Sequence, residues 1–192
     1  MVLQLDSRTE RTVMKFFKVV EERRSIRKYK DKPVEHDDLK KMISDALLAP
    51  SWKNTETPKY YVVTNEEKLA SLKENCLPPF NARNCENAPC VIVCCFEKGK
   101  SGMGNDGEYA NECQEGWGYY DLGLASENLV LAARALGLGT LIMGIRNADA
   151  LRKLLSIPEN EQIVSVISVG IPDIDPKTPH RKKVREAAVF VD

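Results

Sequence analysis

Residues 117–136 constrain the fold of this 192-residue chain more than any other segment. Six apolar residues keep the 3.6-residue period of an α-helix, namely Leu122, Ala125, Leu129, Ala132, Ala133 and Leu136. Leu124, Val130 and Leu131 extend the apolar surface well beyond a single stripe. Because a helix that is apolar on most sides is buried on most sides, the pattern predicts either a central core helix or a helix that also packs against a second subunit.

The rest of the chain alternates between helical and strand patterns. Apolar spacing predicts helices over residues 11–22, 37–48, 66–74 (with Asn65 as its N-cap) and 148–155, and strands over residues 59–64, 90–96, 140–143 and 163–169. Residues 99–116 hold five glycines and few apolar residues, which is typical of a functional lid or a mobile loop. We predict one domain over residues 1–192, with residues 172–192 as a polar C-terminal arm that regains strand character at residues 187–191.

The overall composition argues against several classes of protein. Lys and Arg number 28 and Asp and Glu also number 28, whereas a nonspecific nucleic-acid-binding protein needs a broad cationic face. No stretch is long and apolar enough to span a membrane. The N-terminal residues lack the pattern of a secretory signal, so we expect a cytoplasmic protein.

The six cysteines are expected to be free thiols in a reducing compartment. None of them forms a Cys-x-x-Cys pair, and the chain has only two histidines, so no zinc site is expected. Cys90, Cys94 and Cys95 fall in an apolar run of strand length. We interpret these three as small buried hydrophobic residues.

Positive charge is concentrated in one short stretch, residues 23–32, which we call the basic segment. Six of its ten residues are Arg or Lys although the whole chain is neutral, which is typical of a built anion site. Arginine offers a planar fork of donors suited to phosphate oxygens, and Ser25 adds a hydroxyl. A second basic cluster near the C-terminus consists of Arg181, Lys182, Lys183 and Arg185. We expect the two clusters to converge on one phosphate group, the alternative being a solvated run of charge.

One formal motif match is rejected on its context. Residues 102–107 match G-x-G-x-x-G, but no strand leads directly into the match, and acidic residues follow where a helix N-terminus would meet pyrophosphate. We interpret these residues as part of a loop. With two histidines, no hydrolytic triad can be assembled, and a redox cofactor that carries its own chemistry fits the chain better.

Several motifs, taken in order, resemble the nitroreductase family of FMN-dependent, NAD(P)H-oxidising flavoproteins. They are Arg23-Arg24-Ser25-Ile26-Arg27, Ala49-Pro50-Ser51-Trp52-Lys53-Asn54, Ala88-Pro89, the long helix and the glycines that follow it over residues 120–140, and Met143-Gly144. Each motif alone is a modest signal, whereas the ordered set is specific, and the resemblance covers residues 17–192.

The resemblance implies an α+β fold in which helices wrap a mixed sheet. It also implies an intertwined homodimer, with the long helix of residues 117–136 at the interface and two FMN molecules bound there. The implied partners are a second copy of the chain and a small-molecule electron acceptor, with no nucleic acid and no membrane.

The resemblance also implies which residues bind the phosphate of FMN. The arginines of the basic segment would reach the phosphate, and Arg27 would also lie near the isoalloxazine ring. The residues of this group are Arg23, Arg24, Ser25 and Arg27, completed from the C-terminal arm by Arg181 and Lys182.

A second group of residues is implied around the flavin ring. The partner subunit would contribute Pro50, Ser51 and Asn54, while Asn81, Ile142, Met143 and Gly144 would lie against the ring. Trp52 departs from the family pattern, since many members have glycine there, and it is expected to narrow the entrance to the site.

The implied activity is transfer of hydride from NAD(P)H to N5 of the flavin and on to a nitroaromatic, quinone or similar electron-poor acceptor, in ping-pong order. No protein nucleophile is required, and Arg27 would give electrostatic support. Two alternatives are a flavin-binding carrier or sensor without turnover, and a nucleic-acid-binding module that uses both basic clusters.

Overall fold

The computed structural model describes residues 16–191, and within this range six helices and four strands alternate along the chain. They are α1 (Phe16–Glu22), α2 (His36–Ala46), β1 (Pro58–Val63), α3 (Glu66–Asn75), α4 (Pro79–Asn84), β2 (Cys90–Glu97), α5 (Gly116–Ala135), β3 (Gly139–Met143), α6 (Ala148–Leu155) and β4 (Glu161–Gly170). Short 3₁₀ turns cover Trp52–Asn54 and Val184–Glu186. The predicted α+β class is confirmed.

The strands form one sheet in the order β1-β2-β4-β3. All three neighbouring pairs are antiparallel, so these four strands differ from the expected mixed sheet. A parallel pairing occurs at an isolated bridge between Ser25 and Thr140, which joins the basic segment to the β3 edge. The sheet therefore offers the edge of β3 as the place where the basic segment attaches.

β2 lies in the middle of the molecule because both of its faces are apolar. Cys90, Ile92, Cys94 and Phe96 pack in one core cluster with residues of α2 and α5. Val91, Val93 and Cys95 pack in a second cluster with residues of α3, α4 and α6. The sheet is thus covered by a helical layer on each face.

α5 is the central helix that its apolar surface predicts. Leu122, Leu129 and Ala133 are fully or almost fully buried in the cluster that α5 forms with α2 and β2 of the same chain. Its remaining side is less covered, and the exposed or half-buried stripe along it consists of Tyr120, Leu124, Glu127 and Leu131. Both sequence-based alternatives are therefore compatible with the helix, since one side is core and the other is less covered by its own chain.

Gly118 allows α5 to approach β2 closely. A Cβ atom at this position would lie 2.3 Å from the ring of Phe96, which is fully buried. We expect Gly118→Ala to lower the free energy of unfolding by about 1–3 kcal/mol, as overpacking of a core typically does. Chemical denaturation measures this, with Gly116→Ala as the control because a Cβ there meets nothing closer than 3.8 Å. Equal stability of the two variants would contradict the close packing.

Two elements differ from the sequence-based prediction. α4 lies where no helix was predicted, because its six residues carry no apolar period and only Pro79 in its first turn marks a helix start. Residues 187–191, predicted as a strand, are exposed and irregular because no strand of the described chain pairs with them. The first part of the helix predicted over residues 11–22 lies outside the described residues.

All six cysteines are free, and five of them are buried. Burial raises the pKa of the Cys85 thiol to about 11 and the pKa values of Cys90, Cys94 and Cys95 to about 12, so these thiols stay protonated at pH 8. We expect a thiol reagent at pH 8 to label one equivalent rapidly, at the exposed Cys113. The other five should react only after unfolding. A fast phase of two or more equivalents would contradict this burial.

Among the described residues there is neither a membrane-spanning helix nor a cluster of metal ligands. None of the helices combines the length and the apolar character needed to cross a bilayer. No three residues among the His, Cys, Asp and Glu of the described part of the chain are grouped so that they could hold a metal ion.

Candidate active site

The basic segment is held against β3 by buried residues that alternate with exposed cations. The backbone N–H of Ile26 donates to the carbonyl of Thr140 at 2.9 Å. Tyr29 is buried, and its hydroxyl contacts the carbonyl of Ile26 and Oγ of Ser168, each at 2.8 Å. Ile26 and Tyr29 thus fix the backbone, whereas Arg27 beside them is exposed to solvent.

The three arginines of this segment differ in how their guanidinium groups are engaged. Arg24 donates to the carbonyls of Glu21 and Arg23, at 2.6 and 2.7 Å, and to Oγ1 of Thr178. Arg27 makes one long contact, 3.4 Å, to the carbonyl of Ser25. Within residues 16–191 no hydrogen bond or ion pair engages the side chain of Arg23. Arg23 and Arg27 are therefore the cations available to a ligand.

The C-terminal arm starts beside the basic segment. The backbone N–H of Asp173 donates to the carbonyl of Lys28 at 3.0 Å, and the two side chains form an ion pair at 3.2 Å. Farther along, Thr178 accepts the hydrogen bond from Arg24. Arg181 and Lys182 follow a few residues later and are exposed. Both basic clusters consequently begin on the same side of the molecule.

Four of the seven residues expected around the flavin ring lie near the end of β3, namely Asn81, Ile142, Met143 and Gly144. Ile142 is 49% exposed, whereas Met143 is only 3% exposed and belongs to the core cluster, so Ile142 and not Met143 is open to a ligand. Nδ2 of the buried Asn81 donates to the carbonyl of Ile145 at 2.9 Å, which places α4 against the residues that follow Gly144. Sequence reasoning missed the exposed Ile145, whose only signal was its place just after the strand.

Residues 50–56, which we call the Ser51 loop, have a strained backbone. Lys53, Asn54 and Glu56 all have positive φ values, of 45°, 56° and 50°. Oγ of Ser51 accepts from the backbone N–H of Glu56 at 3.0 Å, and Nδ2 of Asn54 donates to Oε1 of Glu56 at 2.7 Å. Strain of this kind is concentrated at functional sites in proteins.

The Ser51 loop and the basic segment line different cavities of the chain. Arg23 and Arg24 line a cavity of about 50 Å³ together with residues of the C-terminal arm. Pro50 and Ser51 line a smaller one beside Asp121 of α5. The structure therefore places Arg23 and Arg24 beside the arm, with Ser25 paired to Thr140 at the same sheet edge, and separately Asn81 with the end of β3. Pro50 and Ser51 line a different cavity, and Asn54 is bonded to Glu56, which lines that second cavity.

Trp52 does not stand free beside this loop. Its ring lies 4.7 Å from that of Trp117, and its Nε1 donates to the carbonyl of Met103 at 3.0 Å. Residues 99–116, which we call the hairpin loop, fold back between Gly102 and Ala110 through a backbone hydrogen bond of 2.8 Å. The G-x-G-x-x-G match lies in this turn, as its interpretation as a loop predicts.

A buried carboxylate beneath the Ser51 loop escaped the sequence-based reasoning. Asp121 is 2% exposed and accepts hydrogen bonds from the backbone of Trp52 and from Ser101. The available signal was a single acidic residue within a helix that is otherwise apolar on this side.

The fold and these residues define an α+β protein with an open cationic site at the edge of its sheet. Residues 20–171 match the nitroreductase family, and the chain belongs to that family. The resemblance drawn from the motifs is thereby confirmed, and with it the class of the protein, an oxidoreductase.

Three comparisons illustrate the relationship. The chain is 34% identical over 160 residues to an Archaeoglobus fulgidus protein with the provisional name NADH dehydrogenase/NAD(P)H nitroreductase, covering 81% of this chain and 84% of that protein. It is 30% identical over 161 residues to the NADPH-flavin oxidoreductase of Vibrio harveyi, covering 82% and 66% respectively. A solved structure from Exiguobacterium sibiricum, provisionally named a nitroreductase and in complex with FMN, shares the fold at 23% identity with a TM-score of 0.82, covering 94% of this chain and 99% of that one.

Proposed function

We propose that the protein is an FMN-dependent oxidoreductase that transfers hydride from NAD(P)H to a nitroaromatic, quinone or similar electron-poor acceptor, in ping-pong order. The observation that carries the proposal is a pair of guanidinium groups on a backbone that Ile26 and Tyr29 fix to the sheet edge. Arg23 has no partner among the described residues, and Arg27 makes only the long 3.4 Å contact to the Ser25 carbonyl. The names of the Vibrio harveyi relative and of the FMN complex support the same cofactor.

The residues present fit the phosphate of FMN. Arg23 lies beside Ser25, whose hydroxyl can donate to the same oxygens. Arg24 is engaged with the arm at Thr178, and so holds Arg181 and Lys182 on the side of the basic segment. In this assignment Arg23 binds the ligand, and Arg24 positions the C-terminal arm.

A ring bound beyond the phosphate would lie against the end of β3. Ile142 offers an exposed apolar residue there and Gly144 an open approach, because a Cβ at Gly144 would meet nothing within 4 Å, while the buried Met143 supports them from the core. Asn81 holds the following residue, Ile145, in place. FMN, when bound, supplies the redox chemistry, and the exposed Arg27 would stabilise negative charge that develops on the ring.

The site is proposed to be shared between two copies of the chain in a homodimer. Ser51 and Asn54 lie away from the basic segment of their own chain, so in one cofactor site they would come from the other copy. The uncovered stripe on α5 and the exposed apolar residues of the arm, among them Phe190 at 79% exposure, support a partner of the same kind.

Reconstitution and turnover test the proposal. The purified protein, incubated with FMN and freed from excess, is expected to show flavin absorbance and to oxidise NADH or NADPH steadily when a nitroaromatic or quinone is added. Parallel lines in double-reciprocal plots would support the ping-pong order. Bound FMN without turnover would favour the carrier or sensor, and a colourless protein that retards DNA would favour the nucleic-acid-binding module.

A further inference from the structure

The carboxylate of Asp121 is buried without a cationic partner among the described residues. Its Oδ2 accepts two hydrogen bonds, from Oγ of Ser101 at 2.6 Å and from the backbone N–H of Trp52 at 3.0 Å. A buried charge is tolerated only where donors compensate the loss of water. These two donors are therefore what makes the buried carboxylate tolerable, and each comes from a different loop.

The hydroxyl of Ser101 also contacts two threonines, so Asp121, Ser101 and these threonines form one polar cluster. Oγ of Ser101 lies 3.2 Å from Oγ1 of Thr55 and 3.2 Å from Oγ1 of Thr57. Because the Ser101 proton is donated to Asp121, its oxygen is free to accept from both threonines. The hairpin loop, the Ser51 loop and α5 are thus joined at one buried point.

The same two loops are also in contact nearer the surface. The indole of Trp52 donates to the carbonyl of Met103, and Nζ of Lys53 donates to Oδ1 of Asn105 at 2.9 Å. Within the Ser51 loop, Lys53, Asn54 and Glu56 have left-handed backbone conformations, which persist only where the surrounding structure enforces them. The Asp121 contact to the amide of Trp52 is the buried anchor at the start of this strained run.

We propose that Asp121 is a positioning residue, which holds the Ser51 loop and the hairpin loop in one arrangement and so sets the position of Ser51 and Asn54 toward FMN. The proposal rests on the proposed function for its ligand. Asp121 does not touch the cofactor, and it acts through the Trp52 amide and the Ser101 hydroxyl. The same contact makes the hairpin loop part of the cofactor site, although no residue of that loop was assigned to FMN.

The two tryptophans of the chain provide an intrinsic spectroscopic probe of the arrangement of the two loops. The tryptophans are Trp52 and Trp117, and their rings are 4.7 Å apart at the junction of the two loops with α5. The near-ultraviolet circular dichroism of this pair reads the loop position directly, with or without flavin. It does not depend on turnover.

Three variants and one control test the proposal. Asp121→Ala removes both hydrogen bonds, and Asp121→Asn keeps the shape but removes the charge. Ser101→Ala removes the contacts of the Ser101 hydroxyl to Asp121, Thr55 and Thr57, and leaves the contact between Asp121 and the Trp52 amide. Ser165→Ala is the control, because Ser165 is a buried serine on β4 that lies outside the polar cluster of Asp121, Ser101, Thr55 and Thr57. For each protein we would measure the tryptophan circular dichroism after flavin removal, the FMN dissociation constant by fluorescence titration, and the far-ultraviolet spectrum as the check of folding.

We expect a weakened tryptophan signal and a rise in the FMN dissociation constant of about tenfold for Asp121→Asn and Ser101→Ala, and about 10- to 100-fold for Asp121→Ala. Ser165→Ala should match the parent in both measurements. A folded Asp121→Asn protein with the parental signal or the parental affinity would overturn the proposal, and this variant decides the matter if Asp121→Ala does not fold. If the parent itself binds no FMN, the proposed function fails, and with it the role of Asp121 toward FMN, while the tryptophan signal still shows whether Asp121 holds the two loops.

Discussion

Replacing Arg23 with alanine is expected to weaken FMN binding by about 10- to 150-fold, because one charge-assisted contact worth about 1.5–3 kcal/mol is lost. The guanidinium of Arg23 has no hydrogen-bond or ion-pair partner among the described residues, so its removal leaves no other group unpaired. The fold should therefore survive the substitution. Titration of the apoprotein with FMN measures the effect.

Two controls isolate the phosphate contact. Riboflavin, which lacks the phosphate, should lose much less affinity on the same substitution. Lys40→Ala removes a positive charge from the exposed surface of α2 and should leave FMN affinity unchanged. Parental FMN affinity of a folded Arg23→Ala protein would remove Arg23 from the site.

Introducing a charge on the uncovered stripe of α5 is expected to remove dimerisation and FMN binding together. Leu124→Arg places an unpaired cation where the partner would pack, at a cost of several kcal/mol, so FMN affinity should fall by at least about 100-fold. Leu129 and Ala133 are unsuitable for this test because both are buried in the core of their own chain. Analytical ultracentrifugation and FMN titration, done on the same samples, measure both effects.

The control for this prediction is Asn75→Arg, which puts the same side chain on the exposed end of α3, across the sheet from α5. It should remain dimeric and bind FMN as the parent does. A folded monomer of Leu124→Arg that keeps parental affinity would show that one chain is sufficient for the site.

Elements with a strong apolar period could be predicted from the sequence almost to the residue. α6 begins and ends where its spacing predicts, and α5 differs by one residue at each end. Asn65 caps α3, as its position before the helix indicates, with its side chain accepting from the backbone of Lys68 at 3.0 Å. In these segments local preference and burial favour the same conformation, so the pattern is sufficient.

Features that depend on contacts between distant residues could not be predicted in this way. The link between Asp121, Ser101 and Trp52 joins three positions that no spacing rule connects. The burial of Met143 also depends on which side of β3 faces the core, and the motif around it does not specify that side. Residues 187–191 have strand composition, but a strand forms only where another segment supplies its hydrogen bonds.

The exposed C-terminal arm would make the thermal stability of the proposed homodimer depend on protein concentration. Val189, Phe190 and Val191 are all at least 79% exposed in the single chain. Covering them in the proposed homodimer would therefore stabilise the folded state only when two chains associate. The midpoint of thermal unfolding should then rise with protein concentration, as it does for any folded state stabilised by mass action. In the proposed homodimer, dilution would therefore expose the arm, loosen Arg181 and Lys182 from the proposed shared site, and release the cofactor before the fold itself is lost.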